Sequence, residues 1–565
     1  MKRKLILSLI SLFAISSCGQ VSESVSSDLE NSENLSSTHL EVVDYVKVAN
    51  NNNAVYNIIY GDISENSLND IEEFKEKLSL KCNSDFSMYP SSQKEQLQEI
   101  VVGLDTNRYE SDDVSEFIMP TGYYIMELEE KIVVCAKDES AIKKALDNLY
   151  DNIIEYEDNS FGLIKNYACG GDGYMDVYVP KPFLIDGDFD GEYYCENGNY
   201  QVGYVNTSID VIEQYSTMLL KEGFTKSFEN EINNNKFVTY VNGNALVNLS
   251  YYKSSKRFHI LYGNHEFMPF NYNEEAKNVI TPSITQIARN GSSQSSPGLS
   301  MIVQLMDGSF IVIDGGPNDA NDELALLNYL KENNPNEGKP QVKWMFTHAH
   351  HDHMNLALSF LRKYSNEINL EMFMYNFPDF DTLLISQEPA SRVDTTKQLI
   401  VDFEDIYNTY YKGVPIYNFH TGDKLYLPGC EIEILLTHES FWPHDFEWIN
   451  HTSSSWTITI NNHKIMILGD TEKTECEYME SIFGETLKSE IMQATHHGLN
   501  GATTNFYQLV DPEIVFWPID NTRFETEPMC LGTKAGFEFN YYLRNESIKK
   551  RTHYAASETH KIELI

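Results

Sequence analysis

Thr347-His348-Ala349-His350-His351-Asp352-His353 places four imidazoles and a carboxylate within seven residues. Neutral imidazole and carboxylate are the ligands of zinc and similar divalent ions. A loop leaving a strand aims alternate side chains one way and the intervening ones another, so His348 and His350 can hold one metal while Asp352 and His353 hold a second. The bland alternative is a solvated, His-rich turn with incidental metal affinity. The flanks argue against it. Val342 to Thr347 is a short apolar run of strand type, and Met354 to Leu361 alternates as an amphipathic helix does. Ligands at the carboxyl end of a buried strand, just before a helix, are where open α/β architectures place their sites.

Other punctuation in the second half of the chain fits the same plan. Met301 to Leu305 and Phe310 to Ile313 are apolar runs joined across Asp307-Gly308, which predicts a hairpin. The second run ends in Asp314-Gly315-Gly316. Asn321 to Asn333 reads as a helix stopped by Pro335. Ile465 to Leu468 is a buried-strand pattern ending in Gly469-Asp470-Thr471, and Ser489 to Ala494 is another, followed by Thr495-His496-His497-Gly498.

The set formed by Asp314, the His-x-His-x-Asp-His loop, Asp470 and the paired histidines resembles the metallo-β-lactamase superfamily over residues 280 to 565. The resemblance implies an α/β fold, a four-layer αββα sandwich, with a centre for two divalent metal ions, zinc being the expected one. It implies His348, His350, Asp352, His353, Asp470 and His497 as ligands, Asp470 bridging the two ions, and Asp314 buttressing the loop without binding metal. His497 is preferred over His496 because it immediately precedes Gly498. Adjacent side chains diverge, so the reverse assignment stays open. Asp352 would also orient a hydroxide held between the cations, and His496 would donate to the developing oxyanion or leaving group.

Many relatives supply a third His to the first metal, and His438, His444 and His451 are the candidates here. Asn450-His451-Thr452-Ser453 instead resembles the Asn-x-x-Ser pattern of a subgroup without that His. The subgroup includes the external domain of bacterial DNA-uptake channels and the teichoic acid phosphorylcholine esterases. The late His-Pro of the channel domains has no counterpart in the sequence. Tyr375, Phe377 and Phe380 open an insertion, 376 to 412, placed where a substrate-covering segment would lie.

At 565 residues two or three domains are expected. Met1 to Cys18 resembles a lipoprotein signal peptide: Lys2, Arg3 and Lys4 form a positive region, Leu5 to Ile15 is too short to span a bilayer, and Cys18 would carry the lipid. Residues 19 to 42, rich in Ser, Asn and Glu, read as a flexible tether. Residues 43 to 165 read as a small α/β domain, 175 to 265 as a small α+β domain, and 280 to 565 as the hydrolase domain. Glu99 to Arg108 with Gly122 to Met126 weakly resembles the non-catalytic α/β domain before some glycosidase barrels. Gly170-Gly171-Asp172-Gly173 reads as a linker. Among the cysteines only Cys169 with Cys195 suggests a pair.

The formal net charge is −42. Such a field repels polyanions, so nucleic acid is not an expected partner. The subgroup and the exported N-terminus favour a lipid-anchored enzyme on the extracellular face of a bacterial membrane, acting on a phosphodiester of an envelope polymer or a small molecule. The competing readings are a β-lactam or other amide or ester hydrolase, a nuclease, and a non-catalytic surface binding protein.

Overall fold

The computed structural model describes residues 45–104, 106–109, 122–128, 130–136, 139–165, 167–172, 187–195, 199–264, 280–288, 297–318, 322–381 and 383–565. The expected signal peptide and tether lie outside these residues. Among the described residues no helix is long and apolar enough to cross a membrane. The chain forms two compact units, Met1–Asp186 with Asp210–Thr225, and Gly187–Ile209 with Lys226–Ile565.

In the first unit Asn57–Tyr60, Met88–Pro90, Glu99–Val102 and Lys131–Ala136 run parallel within a six-stranded sheet. Helices Glu65–Cys82 and Ile142–Asn152 cover it, setting Ile71, Phe74, Leu78, Leu146 and Leu149 against Ile58, Ile100, Val102 and Val134. The Gly170 stretch is not a linker: Ala168–Asp172 is a strand paired antiparallel with Gly122–Leu128. Cys195, in the second unit, is a free cysteine, and the Cys169 side chain lies outside what the structure describes.

The second unit is built on two seven-stranded sheets. In the first, Ser300–Gln304, Phe310–Asp314, Gln341–Met345 and Asn369–Tyr375 are successive neighbours, and the late strand His560–Glu563 returns to its edge. In the second, Ser455–Ile460, His463–Ile467, Ile491–Gln493 and Ile514–Trp517 are successive neighbours. Period-two alternation decides the layers. Ile311, Ile313 and Met345 of one sheet meet Ile458, Ile465, Ile467, Ile491 and Phe516 of the other in a shared inner core. The intervening Phe310, Val312 and Trp344 face an outer core with Leu326, Leu330, Met354, Ala357, Phe360 and Leu361, residues of helices Asp322–Glu332 and His351–Lys363. Met466, Leu468, Met492, Val515 and Trp517 face a second outer core with Cys476, Met479 and Phe483 of helix Lys473–Phe483. Helices outside and two sheets inside make the four-layer αββα sandwich.

The six-stranded sheet spanning Asp188–Tyr194 to Arg257–Asn264 lies in this same unit. Its Tyr193, Ile232, Phe237 and Tyr252 share the second outer core. Trp442 fills the space left by Gly203, where a Cβ would stand 2.8 Å from the indole. The 376–412 insertion carries a helix with a core face, Ala390–Ile406, burying Thr396, Leu399, Phe403 and Ile406. Phe377 and Phe380 are buried in the first outer core and Tyr375 stacks on Phe377 at 4.6 Å, so these aromatics pack rather than line a pocket.

Candidate metal centre

Parallel pairing brings the carboxyl ends of four strands to one edge. Ile313 is in register with Met345 in one sheet, and Met466 with Met492 and Met492 with Val515 in the other. The loops that leave this edge carry Asp314, Thr347 to His353, Gly469-Asp470 and Thr495 to Gly498. Gly469 permits the approach of the two sheets' loops. Its φ is +57° and a Cβ there would meet Thr347 Cβ at 2.8 Å.

Asp314 is fully buried and ties the loop together. Its Oδ1 accepts from Thr347 N at 2.8 Å, and its Oδ2 accepts from Thr347 Oγ1 and pairs with His353 Nδ1, both at 2.7 Å. A carboxylate on Nδ1 fixes the ring and frees Nε2 to face Asp470. Two groups of donors result. Asp352, His353, Asp470 and His497 form one, His348, His350 and Asp470 the other, and within each the ligand atoms lie within 4.8 Å of one another. Asp470 belongs to both.

Buried polar atoms almost always find hydrogen-bond partners. Here His353 Nε2, Asp470 Oδ1 and both ring nitrogens of His497 are buried with none. His353 Nε2 stands 3.2 Å from Asp470 Oδ1, and His497 Nε2 3.3 Å from Asp470 Oδ2 and 3.5 Å from Asp352 Oδ2. Convergent, unpartnered nitrogen and carboxylate donors fit a divalent cation by chemistry and by count.

The electrostatics divide the imidazoles: against burial, Asp470 and Asp314 hold His353 well above the ordinary imidazole value, and Asp470 and Asp352 hold His497 above it. Burial, with His353 and His350 beside it, holds His348 well below the ordinary imidazole value, and burial pushes His350 down to about 4. Both are therefore neutral, the form that ligates. Burial would raise Asp470, but His497, His353 and His496 outweigh it and keep the carboxylate ionised. Three residues of the site sit in the left-handed region without being glycine: Asp314 at φ 54°, His496 at 43° and His497 at 58°. Each costs about 1 kcal/mol or more, a strain typical of functional sites.

The left-handed pair at 496 and 497 sends its rings apart. The His497 side chain is 0 % exposed and joins the donor group; that of His496 is 23 % exposed and lines a pocket. His496 Nδ1 lies 3.4 Å from Glu472 Oε1, which accepts from Asn450 Nδ2 at 3.2 Å. The structure brings His438, His444 and His451 into neither group. His438 bonds Tyr193 and Asn376, His444 stacks on Phe441, and His451 lies 3.6 Å from Glu475.

The pocket over the donors has a volume of about 620 Å³. Its floor is His350, Asp352, Asp470 and His496, and its walls include Trp448, Asn450, Glu472 and, from the insertion, Glu388, Arg392, Thr395 and Thr396. Sequence reasoning missed these last four. Arg392, Thr395 and Thr396 share one face of helix Ala390–Ile406 by their i, i+3 and i+4 spacing, and Glu388 just precedes the helix, but nothing in the sequence says that the face lies over the loop.

No family model and no curated protein matches the chain. Among solved structures it is similar to the metallo-β-lactamase fold protein YhfI from Bacillus subtilis, at 12 % identity and a TM-score of 0.31, over 50 % of this chain and 100 % of that one. It is also similar to CmlA, a diiron β-hydroxylase from Streptomyces venezuelae, at 10 % identity and a TM-score of 0.30, over 52 % and 55 % of the two chains. A long form RNase Z from yeast matches at 9 % identity and a TM-score of 0.26, over 41 % and 36 %. Likenesses this distant carry no weight for substrate. The fold rests on the two sheets and three cores, and the site on its donor atoms.

Proposed function

We propose that this protein is a metal-dependent hydrolase of the bacterial cell surface, acting on a phosphodiester of the cell envelope. The observation that carries the hydrolase reading is the pair of donor groups sharing Asp470, which lines a pocket together with His350, Asp352 and His496. His348, His350 and Asp470 would hold one divalent ion, and Asp352, His353, Asp470 and His497 the second. Bound there, such ions supply Lewis acidity and a water deprotonated near neutral pH.

The remaining work falls to the chain. Asp352, on the pocket floor, orients the attacking water through whichever oxygen faces the pocket. His496, partly exposed and steadied by Glu472 and Asn450, donates a proton to the departing oxygen. Among the described residues lining the pocket Arg392 is the only Arg or Lys, 3.4 Å from Glu388, against Asp352, Glu388, Asp470 and Glu472. A single guanidinium suits one anionic phosphodiester better than a run of them, which supports an envelope substituent over nucleic acid. The lipoprotein-like N-terminus supports the surface location.

The test is hydrolysis of bis-p-nitrophenyl phosphate, p-nitrophenyl phosphorylcholine and nitrocefin by the zinc-loaded protein and its Asp470→Ala variant. Diester cleavage by the wild type alone is expected. Nitrocefin turnover without diester cleavage moves the assignment to amide hydrolysis, and no turnover of any substrate contradicts it.

A further inference from the structure

The two donor groups are unequal. One offers four protein residues and the other three, because no imidazole joins His348 and His350 from the segment between the loop and Asp470. What occupies that segment is Asn450, on a short 3-10 turn, Ile449–Thr452. The turn is stapled to the centre on both sides. Ser454 N donates to Thr347 O at 2.9 Å, one residue before His348, and Asp470 N donates to Ser453 Oγ at 3.3 Å. Asn450 lines the same pocket as His350 and Asp470.

The orientation of the amide is fixed by its neighbours. Glu472 presents the amide with a carboxylate, a group that accepts. Hence Asn450 presents Nδ2 to Glu472 Oε1 at 3.2 Å, and the flipped amide would set two acceptors face to face. The other end, Oδ1, is then committed to point away from Glu472. It is buried and has no hydrogen-bond partner, as His353 Nε2, Asp470 Oδ1 and His497 Nε2 are buried without one. A bare amide oxygen, on a residue that lines the pocket together with His350 and Asp470, is a cation ligand by chemistry, a neutral and hard one.

We propose that Asn450 Oδ1 is the fourth protein ligand of the His348, His350 and Asp470 site. The inference rests on the metal-binding reading and goes beyond it. A neutral oxygen in place of an imidazole makes this the weaker and more exchangeable of the two sites, and tilts it toward ions harder than zinc. Glu472 acquires a second task, since it holds the amide in the ligating orientation as well as steadying His496.

The experiment is titration of metal-free, full-length protein with Co²⁺, followed by calorimetry and by visible absorption, for the wild type, Asn450→Leu and Asn450→Asp. The wild type is expected to take two ions in two steps. In Asn450→Leu the first step stays and the second weakens by about tenfold or more, with a changed Co²⁺ spectrum; in Asn450→Asp the second step tightens. The retained first step shows that the leucine variant is folded. If that variant loses both steps, Asn450→Asp decides: tightening supports the assignment, unchanged or weaker binding overturns it. A second step unaltered in both variants overturns it while leaving the two-ion centre standing. A wild type that binds no Co²⁺ overturns both.

Discussion

At the scale of single residues, the adjacent histidines do different work. His497 is sealed among Asp352 and Asp470, whereas His496 faces the pocket beside Glu472. Replacing His497 by Ala should therefore remove one bound ion per chain, while His496→Ala should keep the wild-type metal content and lower kcat by about 10²- to 10⁴-fold. Elemental analysis beside steady-state kinetics checks both, and a His496→Ala protein that loses metal would reverse the assignment. The two residues, and a preference for His497 as the ligand, were legible in the sequence; the backbone geometry that separates them was not. It depends on two successive left-handed φ angles, which place the rings in a way that no residue type announces. Asp314 was legible because Asp-Gly-Gly ends an apolar run. Its three hydrogen bonds to Thr347 and His353 required the loop to be folded over it.

At the scale of elements, periodicity gave most strands and helices within a few residues. The hairpin across Asp307-Gly308 and the strands at Gln341–Met345 and Ile491–Gln493 stand where apolar runs put them. The helix Ala390–Ile406 is faint in the sequence, because its buried positions, Thr396, Leu399, Phe403 and Ile406, are diluted by Asp and Thr. Equally invisible was the buried polar knot between strands Ile416–Asn418 and Lys424–Leu427, since hydrogen bonds around a loop leave no period. There Asp423 Oδ2 accepts from Tyr417 Oη at 2.6 Å and His420 N at 2.7 Å, and His420 Nδ1 meets Glu439 at 2.6 Å. Burial pushes Asp423 from 3.8 up to about 6, with Glu439 adding to it and His420 and Tyr417 opposing. An acid raised on folding keeps its proton in the native state after the unfolded chain has released it. Stability from this group is thus greatest below pH 3.8 and is lost as pH rises toward about 6. Asp423→Asn, whose amide oxygen still accepts both bonds, should abolish that share of the slope. Urea denaturation of both proteins from pH 4 to 7 reads the difference directly, and parallel profiles would contradict it.

At the scale of the molecule, the αββα sandwich is not closed by residues 280 to 565 alone. Tyr193, Ile232, Phe237 and Tyr252 share a core with Met479, Ile482 and Phe483, and Asn235 Nδ2 donates to Ile482 O at 2.9 Å. A fragment beginning at residue 280 would expose that apolar face, so it should aggregate or bind a hydrophobic dye. A monodisperse fragment with the melting temperature of the full chain would show the preceding sheet to be dispensable. This dependence was hidden in the sequence, because alternation names a buried face without naming what covers it.

The most direct test of the account is metal stoichiometry, measured by elemental analysis of the full-length protein equilibrated with zinc, beside its Asp470→Ala variant. The shared carboxylate predicts two ions per chain in the wild type and the loss of both sites' full affinity, with at most one ion retained, in the variant. A wild type without stoichiometric metal, or a variant that still holds two ions, would contradict the di-metal centre on which the assignment stands.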